Sequence, residues 1–296
     1  MPELPDVTIY VECLNRLVGG SPLERLRVTN PFVLRTVEPS PDEMAGRRVL
    51  EVFRLGKRVV FSLEGEVFVV IHLMIAGRLK WRKSGTAPPK RGGLAALDFA
   101  IGTLLLTEAG SKRRASIHLA RGREQLAAHD PGGLEVLDAG YEEFLTAITR
   151  ERHTLKRALT DPQILSGIGN AYSDEILHRA RLSPFKLSTG LVDDQGRRLH
   201  RAVVDVLTGW TERLRTEVGA GFPEKVTAFR PEMAVHGRFG EPCPECGAPV
   251  QRIRYADSEA NYCAKCQTDG RLLADRSLSR LLKADWPKRI EDLEGH

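Results

Sequence analysis

The chain has 296 residues, of which 42% are hydrophobic and 28% are charged, and its formal net charge is +5. This apolar content is sufficient for buried cores, which excludes a disordered protein and indicates one to three domains, with two favoured. The first residues are acidic without an apolar signal segment, and no apolar run approaches the roughly 18 residues of a membrane span. We therefore expect a cytoplasmic protein with no membrane partner.

The first predicted element is a helix that follows the sequence MPELPDV. Apolar residues recur at helical spacing, at Val7, Val11, Leu14 and Val18. Asp6 is placed to act as an N-cap or first-turn acid. The sequence GGSP at 19–22 should end the helix. Cys13 lies within this pattern and is expected to be a small buried hydrophobe.

Short segments rich in Val, Leu, Ile and Phe follow from residue 47 to about residue 120. They are RRVLEVFRLG, KRVVFSLEG, EVFVVIHLMIAG, LAALDFAIG and TLLLTEAG. Apolar segments of this length, separated by glycine, are typical of antiparallel strands. This region therefore predicts an antiparallel β-sandwich or barrel, and DPGG at 130–133 predicts a linker after it.

Two basic stretches without any acidic residue lie in the same region. Residues 78–91 contain six Lys and Arg, and residues 111–123 contain five. A solvated basic surface is one interpretation of such stretches. Two separate ones favour a polyanion partner, because phosphate backbones are bound by clustered Lys and Arg.

The chain from the linker to residue 240 is predicted to be mostly helical. The segment TDPQILSGIGNAYSDEILHRARLSP, between Leu159 and Pro184, predicts a helix, a glycine-rich turn and a second helix. A strong amphipathic helix follows, with apolar residues at Leu199, Val203, Val206, Leu207, Trp210 and Leu214. Residues 219–235 carry glycines and two prolines and predict a mobile loop.

The turn SGIGNAY has Gly167 and Gly169 on either side of Ile168, and Asn170 starts the next predicted helix. Exposed backbone N–H groups at a helix start bind anions well. Asn170 could instead simply cap that helix. This stretch alone does not decide between the two interpretations.

Four of the five cysteines fall in one window, at Cys243, Cys246, Cys263 and Cys266. Two C-x2-C pairs, sixteen residues apart, can each direct two thiolates at one tetrahedral Zn²⁺. Disulfides are the alternative, but they are rare in the cytosol. All four ligand positions are filled, so the spacing predicts one closed, structural zinc site. The segment between the pairs should form a β-hairpin.

The extreme N-terminus offers a reactive amine if Met1 is removed. Met1 precedes the small residue Pro2 and is a good candidate for enzymatic removal. A free N-terminal proline is a secondary amine with a pKa of roughly 8, so it can attack an electrophilic carbon and form an iminium. Glu3 beside it could transfer protons. Taken alone, this is an ordinary terminus, and Lys57, at the start of a predicted strand, is an ordinary surface lysine.

Five motifs change that interpretation because they occur together and in order. They are PELPDV at the N-terminus, GK at 56–57, HLMIAG at 72–77, GIGNAYSDEIL at 167–177, and GRFGEPCPECG with YCAKCQ between 237 and 267. Together they resemble the formamidopyrimidine-DNA glycosylase/endonuclease VIII family of base-excision repair enzymes, over residues 1 to about 267.

The resemblance implies an α+β multidomain fold. Residues 1–131 would form an N-terminal antiparallel β-sandwich with flanking helices, which is the catalytic domain. Residues 138–240 would form a helical domain with a helix–two-turn–helix, and residues 241–270 a zinc-finger β-hairpin. Residues 271–296, which include an amphipathic pattern with Leu272, Leu278, Leu281 and Leu282, are a C-terminal tail on which the resemblance is silent.

The resemblance also implies roles for individual residues. Pro2 would be the Schiff-base nucleophile at C1′ of the damaged nucleotide, Glu3 the general acid/base, and Lys57 a ligand of the phosphate next to the lesion. Glu175 would brace the SGIG turn from inside. The expected DNA contacts are Arg114, Arg152, Gly169, Asn170 and Arg254.

The implied activity is that of a bifunctional DNA glycosylase and AP lyase, acting as a nucleoid-associated monomer on damaged double-stranded DNA. Oxidised purines and formamidopyrimidines are the favoured substrates, with β-elimination expected and δ-elimination open. One alternative is an oxidised-pyrimidine glycosylase or mainly an AP lyase. A second is a non-catalytic damaged-DNA-binding protein. A third, a zinc-ribbon assembly protein, does not account for the N-terminus.

Three positions depart from the family pattern. Ile75 stands where the family has a void-filling Met, and Ala115, beside Arg114, stands where it has an aromatic wedge. Ser258 occupies the usual position of a phosphate-binding finger arginine, for which Arg252 or Arg254 could substitute. The departures leave the preferred lesion and the elimination product open.

Overall fold

The computed structural model describes residues 1–110, 113–254, 259–274 and 287–293. The chain divides into two compact units, one of residues 1–131 with 209–227 and the other of residues 132–208 with 228 onwards. The four-part division expected from the resemblance stays a prediction. Ser258 and the tail leucines Leu278, Leu281 and Leu282 lie outside the described residues. Within the ranges given, no helix is long and apolar enough to cross a membrane.

The first unit begins with helix α1 (Leu4–Val18), as the apolar spacing predicts, and closes with helix α2 (Gly122–Ala127). Short 3₁₀ turns cover Pro31–Val33 and Pro41–Met44. The strands between the two helices are β1 (Arg25–Val28), β2 (Val49–Leu55), β3 (Arg58–Leu63), β4 (Val67–His72), β5 (Gly77–Arg82), β6 (Gly93–Phe99), β7 (Gly102–Glu108) and β8 (Ser116–Arg121).

These strands form two four-stranded antiparallel sheets, with the orders β1-β6-β7-β5 and β2-β3-β4-β8. Both sheets and α1 contribute to one apolar core, in which Tyr10, Phe61 and Phe99 are fully buried. The other face of the second sheet is covered by Leu126 of α2. Both faces of β3 and β4 are therefore buried, which explains their nearly continuous apolar sequences. The predicted antiparallel sandwich is confirmed.

Residues 209–227 complete the first unit by packing against α1. Arg215 forms an ion pair with Glu12 at 2.6 Å, and the rings of Phe222 and Tyr10 have centroids 5.6 Å apart. Arg16 donates to the carbonyl oxygens of residues 219–221. Cys13 is buried against Leu214, as expected of a small hydrophobe.

The second unit is mostly helical, as predicted. Its helices are α3 (Tyr141–Thr149), α4 (Leu155–Thr160), α5 (Asn170–Ala180), α6 (Asp193–Val218), whose last turns belong to the first unit, and α7 (Ala264–Thr268). The predicted finger hairpin consists of β9 (Gln251–Arg254) and β10 (Glu259–Tyr262), paired with Arg254 opposite Glu259. Short 3₁₀ turns cover Ser188–Gly190 and Ile290–Leu293.

Candidate active site and zinc centre

The N-terminus of the chain is held by the first turn of α1. Glu3 stands at the N-cap and is only 2% exposed, and Pro2 beside it is also buried. The backbone N–H of Glu3 donates to Asp6 Oδ2 at 3.0 Å, so Asp6 acts as the predicted first-turn acid. Pro5 fits the first turn because its missing N–H would have had no helical partner. The helix start thus fixes the positions of Pro2 and Glu3.

The α-amino group of Met1 lies in this buried setting. Burial is the largest effect on it and lowers the pKa of the amine below its ordinary value. The Glu3 carboxylate raises that pKa, whereas the positive charges of Arg78 and Lys57 lower it further. An amine at this terminus is therefore biased towards its unprotonated form.

Lys57 reaches the same site from the turn between β2 and β3. The turn has two residues, because Leu55 pairs with Arg58, and Gly56 occupies its first position with φ of +60°. Glycine at that position is the type II′ pattern. Burial lowers the pKa of Lys57, and the charge that opposes this is Glu3. Glu3 therefore acts on both the terminal amine and Lys57, and the structure brings the three groups into one site.

The HLMIAG motif forms a tight turn between β4 and β5. The Gly77 N–H donates to the Leu73 carbonyl at 2.9 Å, and a Cβ on Gly77 would lie 2.2 Å from that oxygen, so only glycine fits. The turn presents Ile75 with 58% of its surface exposed. Burial, Arg58 and Lys57 together lower the pKa of His72 to about 4. The sequence indicated the motif but gave His72 no role.

The predicted wedge position is turned into the core. The Glu108 carboxylate accepts hydrogen bonds from the backbone N–H groups of Arg114 at 2.8 Å and Ala115 at 3.0 Å. Ala115 is 3% exposed and belongs to the apolar core, whereas Arg114 is exposed. Of the two residues, only Arg114 is placed to contact a ligand.

In the second unit, the SGIG turn leads directly into α5. Gly167 has φ of +80°, and Gly169 stands at the N-cap in an extended conformation. Asn170 is the first residue of the helix, and the glycine before it has no side chain that could act as a cap. The alternative that Asn170 is merely the helix cap is therefore wrong, because glycine occupies the cap position. The Asn170 side chain stays partly exposed beside the helix N-terminus.

A buried polar network supports this helix start, and sequence reasoning missed it. Lys156 of α4 donates from Nζ to the Asn170 carbonyl at 2.7 Å and to Asp174 Oδ1 at 2.6 Å. Asp174 Oδ2 is 2.8 Å from His236 Nδ1 and accepts from Asn261 Nδ2 at 3.2 Å. The network joins α4, α5 and the finger strand β10.

The resemblance led us to expect that Glu175 braces the SGIG turn. The structure instead shows its carboxylate bonded to the segment before the finger. Its carboxylate accepts the backbone N–H groups of Ala234 at 2.7 Å, Val235 at 2.9 Å and His236 at 3.0 Å. Burial raises the pKa of Glu175, and the three N–H groups oppose that effect. The residue thus anchors the segment that precedes the finger.

The remaining predicted DNA contacts are Arg152 and Arg254, and Arg252 is the alternative to Arg254. Arg152 is exposed just before α4, and Arg254 is exposed at the end of β9. Arg252 is engaged, since its guanidinium lies 4.5 Å from the centre of the Phe239 ring and 3.8 Å from the Glu259 carboxylate. Arg252 and Arg254 both stay candidates to substitute for a finger arginine.

The four finger cysteines converge on one point. Their sulfur atoms all lie within 4.8 Å of one another, with Cys243 and Cys266 at 3.9 Å and Cys246 and Cys263 at 3.4 Å. A tetrahedral Zn²⁺ with Zn–S bonds of about 2.3 Å requires sulfur separations of about 3.8 Å, so the arrangement fits the ion. In the described part of the chain, this is the one cluster that could hold a metal. The prediction of one structural zinc is confirmed.

Three parts of the chain match known domain families. Residues 1–124 match the formamidopyrimidine-DNA glycosylase N-terminal domain, residues 133–218 the formamidopyrimidine-DNA glycosylase H2TH domain, and residues 240–268 the zinc finger found in FPG and IleRS. The formamidopyrimidine-DNA glycosylase of Thermus thermophilus is 33% identical over 282 residues, which cover 91% of this chain and 100% of the relative. The formamidopyrimidine-DNA glycosylase of Heliobacterium modesticaldum is 30% identical, and the match covers 90% of this chain and 100% of the relative.

Solved structures agree with these matches. The Fpg protein of Thermus thermophilus is 33% identical with a TM-score of 0.73, covering 90% of this chain and 98% of that one. Lactococcus lactis Fpg, bound to DNA with an AP site, has a TM-score of 0.77 and is 22% identical, and the match covers 90% of this chain and 99% of that one. This match shows a similarity of fold. The β-sandwich, the H2TH helices and the four-cysteine finger define the helix–two-turn–helix class of DNA glycosylases. Within that class, the chain belongs to the formamidopyrimidine-DNA glycosylase family.

Proposed function

We propose that this chain is a bifunctional DNA glycosylase and AP lyase that removes oxidised bases from double-stranded DNA. The observation that carries the proposal is the site shared by buried Glu3, the terminal amine and Lys57. Family relatives of 30–33% identity, matched over their whole length, are named formamidopyrimidine-DNA glycosylases. Oxidised purines and formamidopyrimidines are the favoured substrates.

The proposed nucleophile is the nitrogen of Pro2 after Met1 has been removed. The burial that lowers the pKa of the Met1 amine acts on an amine one residue further along the chain in the same way. A secondary amine kept unprotonated can attack C1′ of the damaged nucleotide. The new N–C1′ bond forms as the bond from C1′ to the base breaks, and the base leaves with a proton.

Glu3 is the proposed acid/base of the subsequent steps. As a carboxylic acid it gives a proton to O4′ while the sugar ring opens, which leaves an iminium between Pro2 and C1′. As a carboxylate it takes a proton from C2′, and the C3′–O3′ bond then breaks in β-elimination. Water hydrolyses the iminium and returns the free amine. The product of any further δ-elimination stays open.

Lys57 is the proposed phosphate ligand. Burial lowers the pKa of its ammonium group, so its charge is poorly solvated in the free protein. A phosphate beside the lesion would supply the missing counter-charge and stabilise the protonated lysine. The same phosphate becomes the leaving group of the β-elimination, so Lys57 both holds DNA and stabilises the developing charge.

The proposed DNA contacts in the second unit are the Gly169–Asn170 helix start, Arg152 and Arg254, and Arg114 is the proposed contact in the first. Backbone N–H groups at the start of α5 suit a phosphate, and the exposed arginines extend that contact. Such phosphate contacts position the duplex without reading its sequence. They also hold DNA from which the damaged nucleotide has been flipped.

One observation favours a second candidate, in which the chain is mainly an AP lyase. Ala115 is small and buried at the predicted wedge position, so it cannot fill the gap that a flipped nucleotide leaves. An abasic site has already lost its base and is the easiest nucleotide to extrude. Ile75, which is exposed, is the proposed occupant of part of that gap.

Borohydride trapping tests both candidates. The protein is incubated with a duplex that contains either 8-oxoguanine or an abasic site, and borohydride then reduces any iminium to a stable adduct. We expect adducts with both duplexes, and base release that falls by more than about 10³-fold in Pro2→Gly. Pro5→Ala, which alters a proline without a free amine, is the matched control and should react like wild type.

A second control blocks the amine without changing any side chain. An uncleaved N-terminal extension turns the Pro2 nitrogen into an amide, and the adduct should then be lost. An adduct with abasic DNA alone would support the AP-lyase candidate. Correctly processed protein that binds both duplexes but forms no adduct would refute enzymatic function and identify a damaged-DNA-binding protein.

A further inference from the structure

We propose that His178 is a positioning residue of the zinc site and that its Nε2–H donates a hydrogen bond to the Cys243 thiolate. His178 lies in the last turn of α5 and is 5% exposed. Its Nε2 atom is 3.3 Å from Cys243 Sγ. The two residues are 65 positions apart in the sequence, so the contact is a product of the fold.

The chemistry of a four-cysteine zinc site favours such a donor. Zinc binds cysteine as the thiolate, so four ligands place four negative charges around one divalent cation. An N–H group directed at a sulfur atom offsets part of that excess. Partners of this kind fix the orientation of metal ligands, and their loss typically weakens metal affinity by about 10–100-fold.

Backbone hydrogen bonds hold the main chain of Cys243. The Cys243 N–H donates to the Ala248 carbonyl at 2.9 Å, and the Gly247 N–H donates to the Cys243 carbonyl at 2.9 Å. These two bonds fix the main chain of the first C-x2-C turn. His178 contacts the Cys243 sulfur atom itself, through its ring nitrogen Nε2. It therefore determines how that ligand is directed at the metal.

Neighbouring contacts hold α5 in the required place. Gln267, on the short helix that carries the second cysteine pair, donates from Nε2 to the Leu182 carbonyl at 2.9 Å. Its Oε1 accepts the backbone N–H of Cys263 at 2.8 Å. The end of α5 is thus joined to both cysteine pairs, through His178 to the first and through Gln267 to the second. The zinc centre includes the end of α5 as well as the finger.

His178 is a donor to the site and not a fifth ligand. Four thiolates already complete the tetrahedral set that structural zinc requires. Among the residues that the structure describes, the cluster that could hold the metal consists of the four cysteines and does not include His178. Loss of the donor should therefore alter zinc affinity and the electronic state of one sulfur, with the coordination number unchanged.

Two substitutions separate hydrogen bonding from packing. His178→Phe keeps a planar ring of similar size but has no donor, and His178→Gln keeps an N–H group on a flexible chain. The matched control is His200→Phe. His200 lies on α6 with its ring 5.1 Å from Phe144, and its Nε2 has no hydrogen-bond partner among the residues described. Circular dichroism at saturating zinc verifies that each variant is folded.

The full-length protein is examined by chelator competition for zinc and by absorption after Co²⁺ substitution. We expect His178→Phe to weaken zinc binding by about 10–100-fold and to move the sulfur-to-cobalt charge-transfer band to lower energy, because an unbonded thiolate gives up electrons more readily. His178→Gln should recover part of both effects, and His200→Phe should match wild type.

Two results would overturn the proposal. One is a His178→Phe protein with the zinc affinity and cobalt spectrum of wild type. The other is weaker zinc binding with an unchanged cobalt spectrum and no recovery in His178→Gln, which would assign His178 a packing role alone.

Discussion

Burial sets the charge of several individual residues in the first unit. The pKa values of the Met1 amine, Lys57 and His72 are all lowered, with burial as the largest cause in each. Neighbouring cations add to the effect on Met1 and His72. A site of this kind disfavours further positive charge until an anion enters, which suits both an amine nucleophile and a phosphate ligand.

The lowered histidine pKa values predict that the first unit is sensitive to acid. The pKa values of His72 and His118 are about 4, against an ordinary value of 6.5. As the pH falls below 6.5, the unfolded chain takes up these protons before the folded chain does. The stabilisation is therefore present above pH 6.5 and is lost between pH 6.5 and 4, by up to about 3 kcal/mol for His72 and by less for the more exposed His118, where solvent screens the effect.

Amide hydrogen exchange in β3 and β4 at pH 7 and pH 5 measures this effect within the first unit. We expect protection in wild type to fall on acidification, after correction for intrinsic exchange rates, and to fall less in His72→Gln. His153→Gln, a histidine change in the second unit, is the control. An identical loss of protection in wild type and His72→Gln would contradict the assignment.

Sequence reasoning proposed Pro2, Glu3 and Lys57 from an ordered set of motifs, whereas it identified the zinc cysteines from their spacing. It could not find residues whose partners are distant in the chain. The hydrogen bond between Asn261 and Asp174 spans 87 positions, and the Lys156–Asp174 pair is buried although both side chains are charged. Nothing in local spacing distinguishes such residues from surface charges, because burial and partners are set by the fold.

At the scale of elements, the strands that sequence analysis did not single out are β1, β5 and β8. β1 has only four residues, β5 lies within the first basic stretch except for Gly77, and β8 lies within the second. Burial does alternate in β5, because Leu79 is buried between the partly exposed Arg78 and Lys80. Its basic residues, however, led the sequence analysis to a phosphate-binding surface and not to a strand. Arg78 donates to the Val226 carbonyl at 2.6 Å, so part of this basic stretch holds the protein's own chain.

Glu175 of helix α5 anchors the segment before the finger through three backbone N–H groups. Replacing one of its carboxylate oxygens tests this role. In Glu175→Gln, an NH₂ group replaces one acceptor oxygen and confronts a backbone N–H donor. We expect the second unit to lose about 2–3 kcal/mol, because a buried N–H is left without an acceptor. Hydrogen exchange of the Ala234, Val235 and His236 amides should accelerate accordingly.

The control for this change is Glu142→Gln, which alters an exposed carboxylate on α3 in the same unit. It should leave those three amides unchanged. Wild-type protection of the 234–236 amides in Glu175→Gln would show that the carboxylate does not anchor this segment.

At the scale of the whole molecule, each unit has its own means of stabilisation. The first has a large apolar core formed by two sheets and α1, whereas the described residues of the finger region form small apolar clusters around the cysteines. A small region of this kind depends on its metal, because zinc binding supplies its folding free energy. Loss of zinc should therefore be a local event.

Cys246→Ser tests that independence. We expect the zinc to be released, DNA affinity to fall by at least about tenfold, or about 1.4 kcal/mol, and hydrogen exchange in the sheets of the first unit to stay as in wild type. Cys13→Ser, which changes the cysteine outside the cluster, should retain zinc. DNA affinity equal to wild type in a zinc-free Cys246→Ser protein would refute the finger's role in binding.

The return of residues 209–227 to the first unit has a consequence for how the protein is made. Helix α1, whose start fixes the position of the proposed nucleophile Pro2, packs against a segment that the ribosome produces about 200 residues later. At about 5–20 residues per second, the interval from residue 131 to residue 227 lasts roughly 5–20 s. During synthesis, the sandwich can therefore form well before α1 acquires the last of its packing partners. Newly made chains should be without repair activity until that later segment has emerged.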